Sequence, residues 1–96
     1  MSDGLRVDTA HRCLQWSGVV NFVTVSQVRT EGLKTLQQHP GQWQVDLSEL
    51  QTASSLVAAV LVHWWSQLQE HGGEMQLHGV SEPMQAVLRV YGLGWL

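Results

Sequence analysis

Apolar and polar residues alternate in two short stretches near the start of the chain. Leu5 to Thr9 and Arg12 to Ser17 follow the period of two that is typical of a β-strand. Gly18 then permits a bend, because glycine adopts backbone angles that other residues avoid. We therefore predict two strands joined by a turn.

A helical period follows between Phe22 and Gln38, although the β-branched Val23 and Thr24 weaken its start. The apolar positions of this period are Phe22, Val25, Val28, Leu33 and Leu36. His39, Pro40 and Gly41 end the predicted helix.

The strongest pattern lies between Trp43 and Gln69. Valine and leucine flank Asp46 in the stretch Trp43 to Leu47, which predicts a short strand covered on both faces. Leu56 to Gln69 has the length and composition of a helix. The junction between them carries Ser54 and Ser55, at a strand end that feeds a helix start, where α/β domains place working residues.

The predicted second helix has two unlike faces. Its core stripe consists of Val57, Val60, Leu61, Trp64 and Leu68. The opposite side collects Ser55, Ala58, Ala59, Val62 and Ser66, with Trp65 at its edge. No charge occurs from Ser54 to Gln69 apart from any on His63, so this side suits the docking of another protein. The alternative is that a further element of the same domain covers it.

Composition narrows the class of protein. No repeat or composition shift divides the 96 residues, so we predict one domain, residues 1–96. A net charge of −3 with five Lys and Arg leaves no basic stripe for nucleic acid. The longest apolar run, Leu56 to Val62, is too short to span a membrane. The single cysteine and the absence of an apolar leader predict a cytoplasmic protein.

The residues that could carry chemistry have simpler interpretations. The five histidines show no metal-ligand spacing, so we predict no metal site and no cofactor. Cys13 is expected to be a small buried hydrophobe, since no base is placed to activate it. Asp46 is expected to bond nearby loop amides, because no second carboxylate stands at an informative spacing. We predict no catalytic residue and no enzyme.

The order and spacing of several motifs resemble the STAS domain family. Leu14 to Gly18 resembles the strand before the family's first helix, and Asp46-Leu47-Ser48 resembles its central strand end. The family's Asp-Ser-x-Gly position reads Ser54-Ser55-Leu56-Val57 here. Gly72 to Val80 and Pro83 to Leu93 resemble the return strand and the last helix. The resemblance implies an α/β fold with a small mixed sheet, helices packed against it and the order β-β-α-β-α-β-α.

The resemblance also implies a site and two kinds of partner. One branch of the family is a non-catalytic cytoplasmic subunit that docks on the ATPase of a phospholipid-transporting ABC complex, which keeps the outer membrane asymmetric. It would lie peripherally on the inner face of the inner membrane. The implied partner-binding residues are Ser54, Ser55, Ala58, Ala59, Val62, Trp65 and Ser66, with part of the last helix.

The other branch is the anti-sigma factor antagonists, in which a partner kinase phosphorylates a serine or threonine that matches Ser55. A phosphate there would add roughly −1.5 to −2 charge to the docking face. The chain departs from this pattern where Ser54 replaces the family's aspartate and Val57 its glycine. That departure favours the transporter subunit over the antagonist.

Overall fold

The computed structural model of the protein describes residues 4–93. Within them the order of elements is β-β-α-β-α-β-α, as the sequence predicts. The elements are β1 (Gly4–Asp8), β2 (Cys13–Ser17), α1 (Phe22–Gln38), β3 (Gln42–Asp46), α2 (Ser55–Glu70), β4 (Glu74–His78) and α3 (Glu82–Val90). Trp95 and Leu96, which we expect either to fold back or to contact a partner, lie outside the described residues.

The described strands form one mixed sheet in the order β1-β2-β3-β4. β1 and β2 are antiparallel, whereas β2, β3 and β4 run parallel. Because side chains alternate along a strand, the register brings the apolar residues of neighbouring strands to one face. Leu14 pairs with Val45, and Val45 pairs with Leu77.

The opposite face of the sheet is polar, and this corrects one prediction. In β3, Gln42 and Gln44 are exposed, while Trp43 and Val45 are buried. The strand is therefore covered on one face only, although parallel strands are usually covered on both. The open side carries Gln15, Gln42, Gln44 and Gln76 with Asp46. These polar side chains can bond to water, so no second helical layer is required there.

The helices pack on the apolar face of the sheet. In α2 the predicted core stripe is confirmed, since Val57, Val60, Leu61, Trp64 and Leu68 are all buried. In α1 the periodic positions Val28 and Leu36 are buried as well, but Phe22 is 82% exposed. The helical period predicts Phe22 as a core position, and its exposure contradicts this. Phe22 lies one turn before Val25, which packs against the core. No described helix is long and apolar enough to cross a membrane.

One contact fixes the spacing between α1 and α2. The indole of Trp64 is fully buried and its Nε1 donates a hydrogen bond of 3.2 Å to the carbonyl oxygen of Arg29 in α1. The ring also packs against Trp16 of β2, with a centroid distance of 5.7 Å and tilted planes. Gly32 of α1 faces the same ring, and a Cβ atom added there would overlap the indole. A residue without a side chain is therefore needed at position 32.

Replacing that glycine gives a test in which two effects have opposite signs. Helix propensity alone predicts that Gly32→Ala stabilises the protein by about 1 kcal/mol. Overlap with Trp64 predicts destabilisation by about 1–3 kcal/mol, because a packed core does not absorb an extra methyl group freely. We expect the second result in urea unfolding followed by tryptophan fluorescence. Thr30→Ala, at an exposed position of the same helix, should stay within about 0.5 kcal/mol of the parent. A more stable Gly32→Ala variant would contradict the packing described here.

Candidate protein-docking surface

The loop between β3 and α2 is tied down at the carboxyl end of the sheet. Asp46 Oδ1 accepts a hydrogen bond of 2.9 Å from the backbone N–H of Ser48, as expected for a strand-terminal acid. Gly79 follows β4 in the left-handed region (φ 67°), and an added Cβ would lie 2.8 Å from Ser48 Cα. The loop therefore turns sharply over the end of β4, which directs its remainder toward the start of α2.

A second set of bonds ties this loop to the segment that precedes α1. Gly18 N–H donates to the carbonyl of Glu49 at 3.0 Å, and Gln51 N–H donates to the carbonyl of Gly18 at 2.8 Å. The hydroxyl of Thr52 accepts a bond of 3.1 Å from Val20 N–H. As a result, the starts of α1 and α2 lie side by side at one end of the molecule.

A serine or threonine before a helix favours an N-cap, so the sequence predicts that Ser54 or Thr52 caps α2, but neither does. Ser54 occupies the N-cap position with extended backbone angles (φ −152°, ψ 161°), but its side chain makes no capping bond. Within residues 4–93 its buried Oγ has no hydrogen-bond partner. Thr52 instead bonds to Val20. The capping prediction is therefore wrong, and the first amides of α2 receive no side-chain oxygen from either residue.

The predicted strip on α2 faces outward, with one exception. Ser55 and Ala59 are exposed, while Val62 and Ser66 are half-buried. These four residues recur at intervals of three or four and form one stripe along the helix. We call Ser55, Ala59, Val62 and Ser66 the α2 strip. Within the described residues the strip is open to solvent at Ser55 and Ala59, whereas Val62, which packs against the core, and Ser66 are partly covered.

Ala58 was expected to lie on this strip, and that prediction is wrong. Its side chain is 0% exposed and belongs to the hydrophobic core. Helical geometry at about 100° per residue places it on the flank opposite Leu56, and α2 contacts both β4 and α3. Trp65 shares this flank and is half-buried. A partner on the α2 strip would touch the edge of Trp65 but could not reach Ala58.

A shallow groove runs along the other flank of α2, where it meets α1. Its volume is about 310 Å³, and its lining is Val25, Ser26, Arg29, Leu56, Ala59, Val60 and His63. Among the described residues that line it, Arg29 alone carries a permanent charge. Ala59 belongs both to this groove and to the α2 strip, so the two surfaces are continuous. Sequence reasoning missed the groove because it depends on how the two helices sit together.

The groups that could carry chemistry lie apart from this surface. No cluster of three His, Cys, Asp or Glu suited to a metal occurs within residues 4–93. Cys13 is half-buried on the polar side of the sheet, not fully buried as expected. Burial, with smaller effects from Asp46 and Asp8, raises the pKa of its thiol. A thiol with a raised pKa is a poor nucleophile at neutral pH.

The fold and the surface together define a small α/β protein-interaction module rather than an enzyme. The sequence profile described as "Mlab, STAS domain" matches residues 4–96. The chain therefore belongs to the STAS domain family, whose members are non-catalytic regulatory and interaction domains. No curated protein matches the chain by sequence.

Solved structures share this fold at low sequence identity. The anti-sigma factor antagonist SpoIIAA in its unphosphorylated form superposes with a TM-score of 0.82 at 17% identity, covering 95% of this chain and 83% of that one. The Bacillus cell fate determinant SpoIIAA in the phosphorylated form gives 0.76 at 19%, with 95% and 86% covered. An anti-sigma-factor antagonist domain protein from Planctomyces limnophilus gives 0.71 at 23%, with 94% and 82% covered. At these identities the likeness shows the fold alone.

The loop that leads to α2 should respond to the charge of Asp46. The pKa of Asp46 is held below its ordinary value, chiefly by the hydrogen bond from the backbone N–H of Ser48 and next by the Ser48 hydroxyl. Burial opposes this shift, and Gln15 and His78 lower the pKa by smaller amounts. Because the folded-state pKa is lowered, Asp46 stabilises the fold above the pKa of the unfolded chain, near about 4. This contribution is lost as the pH falls through the folded-state pKa.

Asp46→Asn should therefore lower the free energy of unfolding at pH 7 by about 1 kcal/mol and flatten its decline in acid. It should also speed hydrogen exchange at the Ser48 amide. Asp8→Asn is the control, because the pKa of Asp8 is also lowered, chiefly by its side-chain bond to His11, at the opposite end of the sheet. Only Asp46→Asn should change the exchange of Ser48; an unchanged Ser48 amide in that variant would contradict the role given to Asp46.

Proposed function

We propose that this protein is a non-catalytic subunit that docks on the ATPase of an ABC transporter for phospholipids and supports its activity. The observation that carries the proposal is the α2 strip, which is uncharged along its length and exposed at Ser55 and Ala59. The exposed side of a helix in a soluble domain normally carries Lys and Glu. The α2 strip has no charged residue among Ser55, Ala59, Val62 and Ser66. Small residues at Ser55 and Ala59 allow another backbone to approach closely.

The family description supports this branch of the family over others. The matching profile is described as Mlab, and the motifs of the chain resemble the branch of the family that serves as the cytoplasmic subunit of a phospholipid-transporting ABC complex. On this proposal the protein is held at the inner face of the inner membrane through the ATPase. The partner-binding residues are Ser54, Ser55, Ala59, Val62 and Ser66 with the edge of Trp65 and the part of α3 that packs beside α2. Val90 is not included, because it lies on the outward side of α3. Ala58 is withdrawn because its side chain is buried.

A Val→Glu change in the middle of the strip tests the proposal. Val62→Glu would place a carboxylate in the proposed contact, where it would be desolvated without a partner, so affinity for the ATPase should fall by about a hundredfold or more. The measurement is co-purification, followed by titration with the purified ATPase subunit of the phospholipid ABC transporter from the same genome. Circular dichroism should show an unchanged fold, because Val62 is only partly buried.

Val90→Glu is the matched control. Val90 is 83% exposed on α3, whose outward side already carries Glu82 and Arg89. The Val90→Glu variant should bind the ATPase with the affinity of the parent protein. Undiminished binding by a folded Val62→Glu protein would remove the proposal.

One observation favours a second candidate, an anti-sigma factor antagonist switched by phosphorylation. Ser55 is exposed and is the first residue of α2, where the helix dipole and the uncapped amides would stabilise a phosphate. Related structures include SpoIIAA in a phosphorylated form. The second candidate predicts that a cognate kinase adds one phosphate.

The two candidates can be separated by mass spectrometry. Each serine kinase of the anti-sigma type encoded in the same genome would be incubated with the protein and ATP. Because the chain lacks the family's aspartate before Ser55, we expect no phosphate at this residue. Stoichiometric phosphorylation that Ser55→Ala abolishes, while Ser54→Ala retains it, would reverse our ranking of the two candidates.

A further inference from the structure

The start of α1 is built firmly, yet it presents its apolar side chains to solvent. Asn21 Oδ1 accepts hydrogen bonds from the backbone N–H of Val23 (2.9 Å) and Thr24 (3.0 Å), and Thr24 Oγ1 accepts one from Asn21 N–H (3.1 Å). This capping box fixes the first turn. Phe22 and Val23 nevertheless are 82% and 71% exposed. Their exposure therefore belongs to a well-formed helix start, not to a frayed end.

A third apolar side chain near this helix start is exposed, and we call Val19, Phe22 and Val23 the α1 patch. Val19, two residues before the cap, is also exposed, at 49%. Single exposed apolar residues need no explanation, but a group within five residues of sequence indicates a contact surface. Phe22 is the largest of these exposed side chains, so its burial would contribute most to a complex.

The patch lies at the end of the groove between α1 and α2. Phe22 precedes Val25 and Ser26 by one turn on the same side of α1, and both of those residues line the groove. The bonds from Gly18 and Val20 to the β3–α2 loop keep this end of α1 beside the start of α2. Phe22, the groove and the α2 strip thus form one continuous surface.

The charge of the groove indicates what could occupy it. Its apolar residues are accompanied by the guanidinium of Arg29 and by His63, and none of the described lining residues is acidic. The protein as a whole carries a net charge of −3, so this is a locally cationic place on an acidic protein. An occupant with an apolar stripe and a carboxylate opposite Arg29 would be complementary in both respects.

We infer that Phe22 anchors an apolar, acid-bearing helical segment of the ATPase subunit, which lies along the groove with a carboxylate against Arg29. This inference rests on the proposed function and extends the contact from α2 on to α1. Aromatic anchors at the end of a groove commonly dominate binding energy, while their neighbours mainly exclude water. Phe22 is therefore the binding hot spot, and Arg29 sets the orientation of the segment.

The test is titration of the purified ATPase subunit with four forms of the full chain: parent, Phe22→Ser, Val90→Ser and Arg29→Gln. Phe22→Ser should weaken binding by about thirtyfold. Val90→Ser removes an equally exposed apolar side chain from α3 and should bind like the parent. The affinity of the parent should fall as salt is raised, and Arg29→Gln should reduce this dependence. Circular dichroism and urea unfolding should be unchanged in the three variants, since Phe22, Val90 and Arg29 are all exposed.

The outcomes separate this inference from the proposed function. If Val62→Glu abolishes binding while Phe22→Ser binds like the parent, the inference fails and the proposed function stands. If neither variant weakens binding, both fail. If the parent protein is a dimer by light scattering and the Phe22→Ser variant is a monomer, the patch is the interface between two copies of this chain. Sedimentation with anionic phospholipid vesicles that depends on Phe22 would assign it to a membrane. Either result would overturn the inference.

Discussion

The packing of Trp64 against Gly32 is the constraint on which the rest of the structure depends. The indole fills the space between α1, α2 and β2, and its Nε1–H bonds to a carbonyl oxygen of α1. Because glycine leaves room for the ring, the two helices approach closely at this level. They are held side by side with no freedom to roll, since rolling would break the bond and open a cavity in the core.

This constraint determines which parts of α2 remain outside. The core stripe faces the sheet, one flank faces α1, and the flank with Ala58 is closed on the other side. Along the first three turns of α2, the α2 strip and the groove beside it stay accessible. The loop that starts at Asp46 adds a second constraint, because its bonds to Ser48, Gly18 and Val20 bring the starts of both helices together. The surface we propose for docking is thus the part of the two helices that neither the Trp64 packing nor the loop after Asp46 buries.

The sequence predicted the fold and most of the α2 strip, and the failures have physical reasons. The alternation in β1 and β2 and the long helical periods reflect local geometry, so the order of elements could be read directly. The burial of β3 could not be predicted in the same way. The apolar residues that flank Asp46 indicated a strand covered on both faces, whereas Gln42 and Gln44 lie on an exposed face. The prediction for Ala58 failed for another reason. A helical wheel shows which side of a helix faces the sheet, but it does not show that a neighbouring element buries a flank of the helix.

The groove and the exposed Phe22 required the three-dimensional arrangement. Periodicity placed Phe22 among the apolar positions of α1, and its 82% exposure contradicts a core position, because a helical period does not show where along the helix packing begins. Gly32 gave no signal in the sequence either, because its role depends on a tryptophan 32 positions away.

The central claim is that the α2 strip contacts the ATPase, and methyl cross-saturation measures this most directly. In the complex of the ATPase with a deuterated, methyl-labelled protein, saturation of the ATPase should attenuate the methyl signals of Ala59 and Val62 and leave those of Val90 unchanged. Attenuation at Val90 with none at Ala59 or Val62 would contradict the account.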